Sequence, residues 1–167
     1  IKGSITNVTP SGGVLTYAGP ASTIHVTWIP YGAMQKVDIY YSTDGTNFPP
    51  ANKIGDQITA SDGQADVPML PTMIGANLKV KVVDHSNPNI FGISANPFAV
   101  KGSIVINQPT GLPFWVVGSK YDIKWTPTGT YPSDVKIEYL IGGVLKTPVI
   151  GVVSAGEACD DGNDLPL

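Results

Sequence analysis

The sequence predicts an all-β protein made of two tandem β-sandwiches, of which the second lacks its last strands. Three observations support this prediction. Apolar and polar residues alternate with a period of two in many short segments, as they do in half-buried strands. Glycine (19) and proline (15) are abundant while charged residues make up only 14% of the chain, which suits short strands and many turns. The chain also repeats itself, at an offset of 97 to 99 residues.

The repeat begins with "KGSI" at residues 2–5, which recurs at residues 101–104. Further on, "WIPYG" at 28–32 recurs as "WTPTG" at 125–129, and "KVDIYY" at 36–41 recurs as "DVKIEY" at 134–139. A unit of this length has the size of an immunoglobulin-like or fibronectin-like sandwich. We therefore predict one sandwich over residues 1–100 and a second over residues 101–167.

The second copy stops before it is complete. The pairs Asp62-Gly63 and Val67-Pro68 match Asp161-Gly162 and Leu165-Pro166, and residues 70–99 have no counterpart. A sandwich without its last two strands would leave core residues and a sheet edge uncovered. We expect the chain to be a piece of a longer array. The alternative is that Leu167 is a natural end and that a neighbouring subunit supplies the missing strands.

The strands of the first copy can be placed one by one, because each alternating run lies between clusters of Gly, Pro, Asn or Asp. The second predicted strand is short and could be an extension of the first. Turns are expected at Asp44-Gly45, at Asp62-Gly63 and at Pro88. The predicted strands are Ser4–Val8, Val14–Tyr17, Ser22–Ile29, Lys36–Tyr41, Asp56–Thr59, Gln64–Pro68, Asn77–Val83 and Asn96–Val100.

Several segments resemble a known family. The second copy reads "PTGLPFWVVGSKYDIKWTPTG", in which Trp115, Gly118, Ile123 and Trp125 fall on the marked positions of an immunoglobulin-like repeat of bacterial surface proteins. That repeat is similar to the N-terminal immunoglobulin-like domain of the fungal Kre9/Knh1 wall proteins. In the first copy, "YYSTDGTNF" and "KVKVVDHSNPNIFGISANPFAV" resemble the same family. The resemblance implies an immunoglobulin-like fold in an extracellular, multi-domain setting, and it implies no common catalytic chemistry.

Charge and composition exclude some functions. The formal net charge is -3 and all ten basic residues are lysines, whereas nucleic-acid binding relies on clustered basic residues with arginine prominent. No apolar run approaches the roughly 20 residues that a membrane span needs. The single cysteine, Cys159, cannot form an internal disulfide and is interpreted as a core residue, with a free thiol as the alternative. We therefore predict neither nucleic-acid binding nor a membrane span in this segment.

One acidic stretch offers hard oxygen ligands of the kind that calcium takes. "GEACDDGND" contains Glu157, Asp160, Asp161 and Asp164. Its counterpart in the first copy, "ASDGQAD", is a plain Asp-Gly turn, and the spacing fits no EF-hand loop. Calcium is thus the one cofactor that the sequence suggests, and a solvated turn is the competing interpretation.

Other candidate sites are few. Trp28 and Trp125 share a repeat position on the inward face and are assigned to the core, whereas Trp115 and Tyr40 are the candidates for stacking on a sugar ring. "NVT" at Asn7 is an acceptor sequence for N-glycosylation. The two histidines, at positions 25 and 85, lack ligand or catalytic partners at the usual spacings, so neither is given a role.

The function predicted from the sequence is that of a structural segment in an extracellular or cell-surface assembly, such as a surface layer, filament or stalk. Its partners would be copies of itself or neighbouring domains of the same array, and cell-wall glycan is a further candidate. The alternative function is an adhesin or a carbohydrate-binding accessory module of a larger secreted protein. No acid, base, nucleophile or metal constellation recurs, so we predict that the chain is not an enzyme.

Overall fold

The structure, a computed structural model, describes residues 3–109, 122–130, 135–146 and 152–153. Within these ranges the regular elements are β-strands and three single turns of 3₁₀ helix, at Pro50–Asn52, Ala60–Asp62 and Pro71–Met73. The all-β prediction is therefore confirmed. The strands are β1 (Ser4–Thr9), β2 (Val14–Thr16), β3 (Thr23–Tyr31), β4 (Lys36–Ser42), β5 (Lys53–Thr59), β6 (Gln64–Pro68), β7 (Gly75–Asp84), β8 (Asn87–Ile93), β9 (Phe98–Lys101), β10 (Ser103–Gln108), β11 (Lys124–Thr128), β12 (Val135–Lys136), β13 (Tyr139–Ile141), β14 (Val144–Lys146) and β15 (Val152–Val153).

Strands β1 to β9 form two sheets. The smaller sheet has the order β1-β3-β6, and the larger has the order β2-β9-β7-β4-β5, with β8 paired to β7. The two sheets bury their facing sides in one apolar cluster, so this part of the chain is a β-sandwich. The part of the chain that the structure describes contains no helix of the length and apolarity that a bilayer crossing requires.

The alternation predicted from the sequence determines which side chains enter the core. In β3, Ile24, Val26 and Trp28 are buried while the residues between them are exposed or half-buried. The indole N–H of Trp28 is buried as well, and it donates a hydrogen bond of 3.0 Å to the backbone oxygen of Ala60. A buried polar group is thereby satisfied without breaking the apolar layer. The larger sheet contributes, among others, Val37, Ile39, Leu78, Val80, Val82, Phe98 and Val100.

Two predictions about the first copy are wrong. Strand β2 does not extend β1: it lies in the other sheet, where it pairs in parallel with β9, so the chain crosses from one sheet to the other between Thr9 and Val14. Pro88 does not form the turn either, because the turn is at residues 85–86 and Pro88 lies in β8. Proline is tolerated there because the register between β7 and β8 shifts at this point. The hydrogen bonds between the two strands therefore do not require the backbone N–H that proline lacks.

One strand pair of the second copy, β10 with β11, repeats the pairing of β1 with β3. Ser103 lies opposite Thr128 in β10 and β11, as Ser4 lies opposite Tyr31 in β1 and β3. Burial differs, because none of the residues from 101 to 145 whose burial is described is buried. The division into two sandwiches, at residue 100, stays a prediction.

Candidate functional site

The outer face of the larger sheet carries the polar and aromatic groups that could bind a partner. Side chains of β4 that do not enter the core point to this face, and neighbouring strands add theirs in register. Tyr40 lies opposite Lys53 of β5 on one side and opposite Lys81 of β7 on the other, and Lys81 in turn lies opposite Ile93 of β8. A row of alternating lysine and apolar side chains therefore crosses four strands.

Aromatic rings and lysines lie close together in this row. The ammonium of Lys81 is 4.2 Å from the ring centroid of Phe91 and 5.9 Å from that of Phe48. The ammonium of Lys53 is 5.7 Å from the centroid of Tyr40. These distances are within the range of cation–π attraction. We refer to Tyr40, Phe48, Lys81 and Phe91 as the lysine–aromatic face.

Next to this face, four ionisable side chains form a second feature, which we call the Asp38 cluster (Asp38, Lys53, Asp56 and His85). Oδ2 of Asp38 is 2.9 Å from Nζ of Lys53 and 3.0 Å from Nδ1 of His85. The same ammonium is 2.6 Å from Oδ1 of Asp56. The Asp38 side chain is only 9% exposed, whereas those of Lys53 and His85 are about a third exposed, at 32% and 38%. The cluster thus has a buried carboxylate at its base and more exposed groups around it.

An irregularity in β5 supplies another hydrogen bond to Asp38. The register between β4 and β5 shifts on both sides of Ile39, and Gln57 has a positive φ of 48°. The displaced backbone points the N–H of Gln57 at Oδ1 of Asp38, at 2.9 Å. A non-glycine residue in this conformation is uncommon, and such positions occur where the surrounding structure holds them. The bulge therefore gives the buried carboxylate a fixed orientation.

The contacts within the cluster favour the charged forms of Asp38 and Lys53. Burial raises the pKa of the Asp38 carboxyl, but the N–H of Gln57, Lys53 and His85 together outweigh burial, so its pKa lies below the ordinary value. Hydrogen bonds to Asp38 and Asp56 raise the pKa of Lys53 above its usual range. Lys53 and Asp38 therefore form an ion pair.

A second ordered carboxylate closes the turn after β4. Oδ1 of Asp44 accepts hydrogen bonds from the backbone N–H groups of Thr46 and Asn47, both at 2.8 Å, and from the hydroxyl of Ser42. These bonds, that from Asn47 first, hold the pKa of Asp44 far below its ordinary value. All the donors belong to the same turn, so Asp44 has a structural role in shaping it.

The residues predicted as sites fall in different places. Tyr40 is half-buried on the lysine–aromatic face, and Asn7 is exposed in β1 with a positive φ of 51°. These two described residues lie in different sheets, so the structure does not bring them together. Outside the described residues lie the other sugar-stacking candidate and the proposed calcium ligands, which are Trp115, Glu157, Asp160, Asp161 and Asp164.

Neither the Asp38 cluster nor Phe91 was predicted from the sequence. Asp38 and His85 are 47 residues apart, so no local motif joins them. The signal that was present is the alternation in β4, which places Asp38 and Tyr40 on the same outward face. The other histidine, His25, lies on β3 with an exposed ring, and its Nδ1 is 2.8 Å from Oδ1 of the exposed Asp66.

Comparison with known proteins gives little. No protein-family model matches the chain, and no curated protein matches it. Among solved structures, the fibronectin(III)-like modules of CbhA from Clostridium thermocellum align with 91% of this chain and 74% of their own, at 15% identity and a TM-score of 0.34. At these values the similarity carries no argument about fold or function. The architecture and the site described above rest on the chain's own geometry.

Proposed function

We propose that this chain is a structural segment of an extracellular or cell-surface assembly, whose β-sandwich repeats associate with copies of themselves or with neighbouring domains of one array. One observation carries the proposal: positions that are buried in the first copy are exposed or half-buried at the equivalents that the structure describes in the second. Ile5 is 5% exposed and its equivalent Ile104 is 40% exposed. Trp28 is buried and its equivalent Trp125 is only half-buried.

The second copy exposes several large apolar side chains. In β10, Ile104 is the equivalent of the buried Ile5, whereas Val105 and Ile106 replace exposed polar residues of the first copy. In the β13–β14 hairpin the exposed apolar residues include Leu140 and Val144. Burying such groups contributes roughly 25 cal/mol for each Å² removed from water. Apolar patches of this kind on soluble proteins mark interaction surfaces, and an edge strand can pair with a strand from another chain. The occupant that this proposal expects is a second copy of the chain.

Sedimentation over a range of protein concentrations tests the proposal. We expect the wild-type chain to form oligomers as its concentration rises, and Val105→Lys to shift the equilibrium toward monomer because a charge enters the apolar patch. Ile29→Lys is the matched control, since Ile29 is an exposed apolar residue of β3 in the first copy. A wild-type chain that remains monomeric at its solubility limit would contradict self-association.

A second candidate function is glycan binding by an adhesin or accessory module, and the lysine–aromatic face favours it. An exposed aromatic ring can stack on the apolar face of a sugar ring, while neighbouring ammonium groups donate hydrogen bonds to its hydroxyls. Phe91 is exposed and Tyr40 is half-exposed on one sheet surface. Both proposals include that the chain has no enzymatic activity of its own.

Calorimetric titration with soluble cell-wall polysaccharide tests this second function. Binding that is lost in Phe91→Ala and weakened in Tyr40→Ala would support it. Tyr31→Ala is the control, because Tyr31 is an exposed aromatic residue of β3 in the other sheet. Binding that is equally weak in all three variants, or no heat of binding to the wild type, would speak against a glycan site on this face.

A further inference from the structure

We propose that the Asp38 cluster is a binding site for a divalent transition-metal ion, with Zn²⁺ as the first candidate, and that the ammonium of Lys53 is the competitor that the ion must displace. This inference is independent of both functions proposed above. It concerns residues of the first copy alone.

The geometry brings three ligand groups of suitable chemistry together. One oxygen of Asp38, one of Asp56 and one ring nitrogen of His85 all lie within 4.8 Å of one another. Tetrahedral zinc with bonds of about 2.1 Å needs its ligand atoms about 3.4 Å apart. The Asp56 and His85 side chains are exposed at 62% and 38%, so rotation about their side-chain bonds can close that difference without moving the backbone.

The buried ligand is already oriented. Gln57 donates its N–H to Oδ1 of Asp38 and leaves Oδ2 directed at the cation position. His85 is held by its own backbone N–H, which donates to the carbonyl oxygen of Lys36 at 3.0 Å. A hydrogen bond to a ligand's own side chain, as Gln57 makes to Asp38, fixes the orientation of a metal ligand and raises affinity. The Asp38 carboxylate is therefore preset, whereas His85 has a fixed backbone position and a ring that can rotate toward the ion.

A positive charge already occupies the centre of the cluster. Nζ of Lys53 is 2.9 Å from one carboxylate and 2.6 Å from the other, which are distances of charge-assisted hydrogen bonds. Without counting the imidazole, two carboxylates and one ammonium carry a formal charge of about −1. A divalent ion in place of the ammonium would neutralise both carboxylates. Because Lys53 is 32% exposed, its flexible stem can move the ammonium into water.

The ligand types select the ion. One imidazole nitrogen and two carboxylate oxygens suit Zn²⁺, Co²⁺ and Ni²⁺, whereas Ca²⁺ takes six to eight oxygens. A matched negative control exists in the same sandwich. His25 and Asp66 make a similar contact, 2.8 Å long, but both are exposed, and within the described residues no third ligand group joins them.

Calorimetric titration of ZnCl₂ into five folded proteins tests the proposal, with folding checked by circular dichroism. We expect a saturable 1:1 step in the wild type, its loss in His85→Ala and Asp56→Asn, and its retention in His25→Ala. Lys53→Met keeps the apolar stem but removes the competing charge, and it should tighten binding about tenfold or more. Lys53→Gln serves the same purpose if the methionine variant does not fold.

Three results would overturn the proposal. They are the absence of a saturable step in the wild type, wild-type affinity in His85→Ala, and no gain in affinity when Lys53 is replaced. Absorption of the Co²⁺-loaded wild type gives a second readout: ligand-field bands that disappear in His85→Ala but persist in His25→Ala are the expected result. Bands that persist in both variants would place the ion elsewhere.

Discussion

The two copies share a recurring sequence pattern and the register of their first strand pair, but their described residues differ in burial. Ile5 and Ile104 each lie opposite a proline of the neighbouring strand, at Pro30 and Pro127. The first isoleucine belongs to the apolar cluster between the two sheets and is 5% exposed, whereas the second is 40% exposed. An alternating pattern thus suffices to form strands and to set their pairing, whereas a core also requires a second layer to cover it.

Substitution of the repeat-equivalent tryptophans gives the largest expected difference between the copies. Trp28→Ala removes a buried ring and its hydrogen bond to Ala60, and we expect it to lower the free energy of unfolding by about 3–5 kcal/mol. Trp125→Ala removes a half-buried ring and should cost about 1 kcal/mol or less. Urea denaturation of both variants measures this. Equal losses would mean that Trp125 belongs to a core as complete as that of the first copy.

Breaking an ion pair in each copy should give the next largest difference in stability loss between the copies. Asp38→Ala removes a buried carboxylate that three donors bind, and we expect a loss of about 2 kcal/mol, moderated because Lys53 can move into water. Asp122→Ala breaks an exposed pair with Lys124 in the second copy and should change stability by less than about 0.5 kcal/mol. Thermal unfolding at pH 7 compares the two variants. A larger loss for Asp122→Ala would reverse the assigned order.

The smallest expected effect is on the stability of the first copy in acid. The pKa values of Asp38 and Asp44 lie below their ordinary values, so each carboxylate stabilises the first copy above the unfolded pKa of about 3.9. This contribution is lost as pH falls through the lower pKa values of the folded state. We expect the melting temperature of the wild type to fall between about pH 5 and pH 2, and to fall less steeply in Asp44→Asn. An unchanged slope in that variant would contradict the role assigned to Asp44.

The sequence was informative where structure depends on local pattern. The alternation in β3, β4 and β7 predicted their inward residues, including Trp28, because one covered face imposes a period of two. The sheet to which β2 belongs could not be predicted, since its partner β9 lies more than 80 residues later. The Asp38 cluster was missed for the same reason. Its members come from β4, β5 and the turn after β7, and only the folded sheet brings them together.

The parallel pairing of β2 with β9 has a mechanical consequence. Val14, Leu15 and Thr16 lie beside Ala99, Val100 and Lys101, and two further backbone bonds, from Tyr17 to Lys101 and from Ala99 to Gly13, extend the contact. Tension between the two ends of the first copy pulls β2 backward and β9 forward along the same axis. All bonds of the pair are then sheared together, whereas an antiparallel hairpin pulled at its ends opens one bond at a time. The β2–β9 pair is therefore expected to resist stretching of the first copy more strongly than an antiparallel hairpin of the same length would.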